Sequence, residues 1–426
     1  MRSNPSEPHV AAQRRVVVTG IGVIAPNGKG AKSFWESIRD GKSAAAPLTR
    51  FPPRDSPVRI ACEVANFDPT EYIEPKAAKR LDRSIQFAVC AARQASDDAS
   101  LDCRAIDPDR IGVVEGTSVS NNETAARAEE EFAAHGYRGV SLHAMINGYA
   151  GGGSGEVALK LGARGHAITL STGSASGNDV MGYALGMIQN DEVDVMIAGG
   201  AEAPIIPSIW GTFCQGKVMS RHPGDPREAM RPFDASRDGF VLGEGAAFLV
   251  LEEMSHAIGR NARIYCELLA HGRACESYHP VAPHPDGIGI LRAMDRAIHR
   301  ARLQKTAVDY VNAHGTATEA NDRVENAAIK KFFGPHARRI ALSATKPVTG
   351  HLLAASGAIE AAVCALALFH QTIPPTINLK TPAPDCDLDY VSGKARPYPM
   401  QFAMSMNSGF GGKNACLLLG RFDPGR

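Results

Sequence analysis

The 426-residue chain is short of several things, and each shortage narrows what it can be. It has no excess charge of either sign: 46 Lys and Arg stand against 45 Asp and Glu. Nothing therefore favours nucleic acid or an anionic membrane surface as a partner. It has no CxxC pair, and its nine cysteines are odd in number and scattered. Neither a zinc site nor a disulfide framework is expected, and the thiols read as small core residues in a reducing cytoplasm. The opening MRSNPSEPHVAAQRR is polar and lacks the apolar core of a signal peptide; residues 1–13 are expected to be a flexible N-terminus. The most apolar helix candidate, 351–369, carries His351, Glu360 and many alanines. That composition predicts a buried helix of a soluble protein, not a membrane span. No short-period repeat or low-complexity tract is present.

What the chain does have is alternation. β-Branched and apolar runs near Arg15, Arg110, His166, Val193 and Phe240 are separated by helical patterns at 33–39, 81–100 and 123–134. The alternation starts again after Ser255. Runs near Ala262, Val308, Arg339, Leu388, Met404 and Lys413 are interleaved with helical patterns at 287–303, 319–332 and 352–369. This predicts an α/β protein with parallel sheet covered on both faces, built from two similar halves, 14–255 and 256–422. The Gly151-GGSG run is expected to be a loop with unusual backbone angles.

The stretch His166–Ile188, HAITLSTGSASGNDVMGYALGMI, reads as a buried strand, a Ser/Thr/Gly turn and a helix. That places Ser174 at a strand-to-helix turn, beside unpaired N–H groups and the positive end of a helix dipole. Alone, such a motif is no more than a helix start. Two later segments change its weight. Asn312-AHGTATEANDRV-Glu325 puts His314 just past a strand, and Ser343-ATKPVTG-His351 puts Lys346 and His351 between a strand and a buried helix. Strand ends are where α/β proteins build sites. Gly20, Gly22 and Ala25 also fit a loose GxGxxA fingerprint, but Pro26-Asn27-Gly28 interrupts the position of the phosphate-binding helix. A buried strand and tight turn is the better expectation there.

These residues carry a resemblance. VTGIGVIAPNG, STG-x-ASG, PFDASRDGFVLGEGAA, NAHGTAT, KPVTGH and GFGGKN together resemble the β-ketoacyl-acyl-carrier-protein synthases, condensing enzymes of the thiolase fold, from about Arg14 to Phe422. NDRVENAA, CDLDYV and NSGFGG look closer to the catalytic subunit of bacterial type II polyketide systems. The resemblance implies a layered α-β-α-β-α fold and an acyl chain carried on the phosphopantetheine of an acyl carrier protein, with no other cofactor and no metal. It implies an acyl-accepting nucleophile at position 174, with His314 and His351 assisting decarboxylation of a malonyl thioester. Lys346 and Glu325 would hold the surrounding charge and hydrogen bonds. The N–H groups of residue 174 and Phe410 would form an oxyanion hole, with Phe410 also gating the acyl pocket. Thr316 and Thr318 would contact the pantetheine arm. A homodimer, or a heterodimer with a chain-length subunit, is expected, pairing through the Gly-rich strand near Val195.

One position departs from the pattern. The family's nucleophile is cysteine, and residue 174 is Ser. A thiol can ionise at a helix N-terminus, whereas an alcohol needs a base. Three readings stay open: an introduced replacement that holds acyl or carrier complexes, a native serine in an acyltransferase or slow condensing enzyme, and a noncatalytic chain-length subunit. The retained His314, Lys346 and His351 weigh against the last.

Overall fold

The computed structural model describes residues 13–424, so all but Gln13 of the expected flexible N-terminus lies outside the described residues. Ten of the strands form one sheet path. The first half supplies β1 (Val16–Ala25), β2 (Ile111–Gly116), β3 (Ala167–Leu170), β4 (Val195–Glu202) and β5 (Gly245–Glu253). The second supplies β6 (Cys266–Cys275), β7 (Tyr310–Asn312), β8 (Ala341–Ser343), β9 (Phe402–Gly409) and β10 (Lys413–Gly420). From the centre outward the first half runs β1-β5-β4-β2-β3 and the second β6-β10-β9-β7-β8. These are the same order, strand for strand. A short antiparallel contact, Val17 with Glu267 and Val18 with Cys266, joins the halves.

The sheet is mixed, not parallel as the alternation predicted. β2 pairs in parallel with β3 and β4, and β7 with β8 and β9. The four central strands pair antiparallel. The cause is local. β9 and β10 are joined by a tight turn, and β1 receives β5 and β6 alongside it, so no helical crossover imposes parallel pairing there.

Helices complete five layers. α1 (Arg83–Asp98) covers the outer face of the first half, and α3 (Ile288–Ala301) that of the second. Between the half-sheets lie α2 (Ser176–Gln189) and α5 (Ala354–His370), packed on each other; α4 (Glu319–Phe333) flanks α3. α2 and α5 meet through small residues. A Cβ on Gly177 would lie 2.3 Å from the Ala358 nitrogen, and one on Gly357 would lie 2.6 Å from the Asn178 nitrogen. Only glycine permits that approach. Gly20 and Gly22 serve α1 in the same way, since a Cβ on Gly20 would stand 2.1 Å from the Ala95 carbonyl. The loose GxGxxA run is therefore a packing feature and not a phosphate cradle.

Other expectations change. The run before Ser174 is not buried within the chain: β3 is the outer edge of the sheet, exposed to half-buried. Conversely, β4 cannot pair across a two-fold axis, because all its residues are buried between β2 and β5. Gly152–Leu161 is a helix, and its glycines bring it onto β2: a Cβ on Gly153 would overlap the Glu115 carboxylate at 2.1 Å. Leu388–Val391 forms no strand, only a bridge from Asp389 to Ala341. The apolar helix 354–370 is buried along nearly its whole length, as expected, and among the described residues no helix is long and apolar enough to cross a membrane.

Candidate active site

The nucleophile turn follows β3. Gly173 adopts φ +63°, and α2 begins at Ser176, so Ser174 lies just before the helix. Ser176 holds the turn shut: its Oγ accepts from the Thr172 N–H at 2.8 Å and donates to the Gly173 carbonyl at 2.6 Å. The turn is also tied to the second half. Thr172 Oγ1 donates to Asp179 at 2.6 Å, and the other oxygen of that carboxylate lies 2.9 Å from His271 Nε2 on β6.

The second half brings two histidines to this turn. Ser174 Oγ lies 3.1 Å from His351 Nε2. The backbone of His351 is pinned, its N–H donating to the Val241 carbonyl at 2.7 Å and its carbonyl accepting from Gly243 at 3.0 Å. The rings of His351 and His314 stand edge to face with centroids 5.6 Å apart. His314 is fixed from behind, with Nδ1 3.1 Å from Asn407 Nδ2 and 3.3 Å from Lys346 Nζ. A neutral ring that receives at Nδ1 carries its proton on Nε2. Burial, then the Lys346 charge and the neighbouring His351, hold His314 well below the ordinary histidine range; burial and Lys346 do the same for His351. Both are neutral at physiological pH.

Lys346 and Glu325 reach the histidines by separate routes. Lys346 Nζ pairs with Glu360 at 2.6 Å, and it also donates to the His314 carbonyl at 2.7 Å. Glu360 Oε2 accepts from Asn407 at 2.7 Å, closing a ring of Lys346, Glu360, Asn407 and His314. Glu325 instead receives the backbone N–H groups of His314 and Gly315, at 2.6 and 2.9 Å. Burial pushes its carboxyl up to about 7. Glu360, Asn407 and Ser356, which lies 3.0 Å from His351 Nδ1, were not singled out in the sequence. The one available signal was a lone carboxylate within the alanine-rich run of α5.

A cavity of about 490 Å³ opens onto this centre, lined by Ser174, His314, His351, Thr316, Thr318 and Phe410 among others. Phe213, Val218, Phe240 and Leu353 give it an apolar wall. Thr316 and Thr318 present hydroxyls 2.9 Å apart. Phe410 is 49% exposed and sits on the turn between β9 and β10, where Gly411 and Gly412 have positive φ. That turn abuts the nucleophile turn: a Cβ on Gly409 would stand 3.1 Å from the Ser174 nitrogen. Leu353, at φ +49°, and Ala317, at φ +60°, are left-handed without being glycine. Strain of this kind, costing about 1–3 kcal/mol each, collects where a site dictates the backbone. Lys346 and Glu325 support the cavity from behind and do not line it.

Residues 13–257 match the family Beta-ketoacyl synthase, N-terminal domain, and residues 265–380 match Beta-ketoacyl synthase, C-terminal domain. The chain is 41% identical over 410 residues to 3-oxoacyl-[acyl-carrier-protein] synthase 2 of Synechocystis sp., covering 96% of this chain and 99% of that one. Its fold superimposes on the ishigamide ketosynthase/chain length factor with a TM-score of 0.90 at 36% identity, covering 97% of this chain and all of the other. It also superimposes on a ketosynthase solved with its type II polyketide acyl carrier protein, again at 0.90, with 33% identity over 96% of this chain and all of that one. With both domain families matched in order and the relatives covered end to end, the chain belongs to the β-ketoacyl synthases.

Proposed function

We propose that this chain catalyses decarboxylative condensation of a carrier-bound acyl chain with malonyl-acyl carrier protein, in polyketide or fatty-acid-type biosynthesis. The observation that carries the reading is the convergence of Ser174, His314 and His351 on one cavity, both imidazoles being neutral. In the first step the residue 174 nucleophile takes the acyl group and the carrier thiol leaves. The carboxylate-bearing C–C bond of the malonyl group then breaks, releasing carbon dioxide and leaving negative charge on the thioester oxygen. His314 and His351 are placed to donate to that oxygen. The enolate carbon attacks the acyl carbonyl, the bond to residue 174 breaks, and the expelled oxygen takes a proton from solvent, its own having left with the carrier thiol. In this reading the N–H groups of Ser174 and Phe410 serve as oxyanion donors, Phe410 also as a gate, and Thr316 and Thr318 as contacts for the pantetheine arm. Lys346, Glu360 and Glu325 organise the two histidines.

The partners follow from the same reading. An acyl carrier protein delivers both substrates on its phosphopantetheine, and no further cofactor is needed. The chain pairs with a second copy or with a chain-length subunit. The nine free thiols, six of them buried, suit the reducing cytoplasm.

Serine at 174 makes acylation the weak step, since an alcohol lacks a thiolate's ready nucleophilicity and its ester is less reactive than a thioester. The 3.1 Å contact with His351 favours a second reading, a serine acyltransferase on the same fold. Intact-protein mass after incubation with acyl-carrier protein separates the two. Slow or absent acylation, raised by several orders of magnitude in Ser174→Cys, supports the condensing enzyme. Rapid acylation lost in Ser174→Ala and unimproved by Cys supports the acyltransferase.

A further inference from the structure

We propose that Ser356 is a positioning residue that fixes His351 as the Nε2–H tautomer, making it a donor to the cavity and not a base for Ser174. The inference rests on the proposed condensing function for its purpose, but not for its geometry. Ser356 lies on the first turn of α5 and is 2% exposed. Its Oγ accepts the Leu352 N–H at 2.9 Å. Among the described residues, its other neighbour in hydrogen-bonding range is His351 Nδ1 at 3.0 Å. A hydroxyl has one proton, and leaving it unpaired in a buried site is unfavourable. With the backbone N–H occupying the acceptor side, the proton has Nδ1 as its acceptor. A neutral imidazole that accepts at Nδ1 carries hydrogen on Nε2.

The consequence reaches Ser174. Were His351 protonated on Nδ1, Nε2 would be a lone pair 3.1 Å from the serine oxygen, the arrangement of a serine hydrolase. With Ser356 donating, Nε2–H points at that oxygen and the lone pair is withdrawn. His314 is arranged alike, because Asn407 and Lys346 donate to its Nδ1. The two rings thus present two N–H donors and no resting base. The site is built to receive a developing oxyanion, and the hydroxyl of Ser174 is left without activation.

The test is two-bond ¹H–¹⁵N correlation on the full chain carrying ¹⁵N-histidine, with His351 assigned by the loss of its signals in His351→Gln. A bare Nδ1 and a protonated Nε2 are expected in the wild type. Ser356→Ala should mix the tautomers. It should lower kcat for decarboxylation of malonyl-carrier roughly two- to tenfold, the size of one net hydrogen bond, with KM unchanged. Ser356→Thr, which keeps the hydroxyl, should restore both. A protonated Nδ1 in the wild type, or an unchanged tautomer in folded Ser356→Ala, overturns the proposal; the wild-type spectrum decides even if that variant fails to fold. A bare Nδ1 in a chain that cannot consume malonyl-carrier upholds the assignment and overturns the condensing function instead.

Discussion

Lys346 and Glu360, fourteen residues apart, form an ion pair of 2.6 Å in which each side chain is 1% exposed. Removing one partner of a buried pair strands the other charge, at about 3–5 kcal/mol. Lys346→Met should destabilise the chain by that order in denaturant unfolding. Adding Glu360→Gln should recover a large part of it, because the stranded carboxylate is gone. Activity should not return with stability, since His314 still lacks its lysine donor.

Replacing His314 or His351 by Ala should each lower malonyl-carrier decarboxylation by about 10²–10³. The pH profile tests the protonation state separately. Both folded-state values lie well below 6.5, so the neutral donors persist as pH falls. The histidines should therefore contribute no inflection near their ordinary pKa of about 6.5; an inflection near 7 that is removed in Glu325→Gln would belong to Glu325, whose carboxyl burial pushes up to about 7.

The free edge of β3 is the expected pairing surface. The carbonyls of His166 and Leu170 accept from Val113 and Thr117, so by alternation the Ala167 N–H points away from the sheet. The segment before it exposes Leu142, Met145, Ile146 and Tyr149, an apolar set that a partner would cover. Ala167→Pro removes an outward donor and leaves the ladder to β2 intact. Sedimentation should show a dimer for the wild type and a folded monomer for this variant. An unchanged dimer would mean that another surface pairs.

Burial, aided by the negative charge of Glu202, pushes Glu115 up to about 8. The unfolded carboxyl loses its proton near 4.5, while the folded one keeps it. The stability this group contributes is thus full below pH 4.5 and lost as pH rises towards 8, by about 1.4 kcal/mol per pH unit. Glu115→Gln should flatten that part of the stability–pH curve relative to the wild type.

How far the sequence carried depended on what each residue answers to. Ser174, His314 and His351 sit in short Gly/Thr turns at strand ends; local pattern marks each turn, and the family resemblance is what implies that they meet in one site. Asn407, 93 residues from His314, and Glu360 acquire their roles only when α5 and β9 fold beside β7, so no local pattern marks them. The apolar residues of 167–170 predict a buried strand, yet within one chain they have β2 on one side only and stay exposed to half-buried; composition reports that a surface will be covered, not by what. The glycines at 151–155 suggest backbone freedom, whereas Gly153 answers to the Glu115 carboxylate lying against it. Glycine has two uses, φ and proximity, and the sequence does not distinguish them.

The matching strand order of the two halves has a consequence for synthesis. The first half-sheet is complete once β5, ending at Glu253, has emerged. Its inner face is roofed partly by α2 and partly by α5, which begins at Ala354. At about 5–20 residues per second, translation of the hundred intervening residues takes roughly 5–20 s. For that interval the nascent chain holds a finished sheet with an apolar face open to the crowded cell. The duplicated architecture that joins nucleophile and histidines therefore also leaves that face without its second covering helix until the other half arrives.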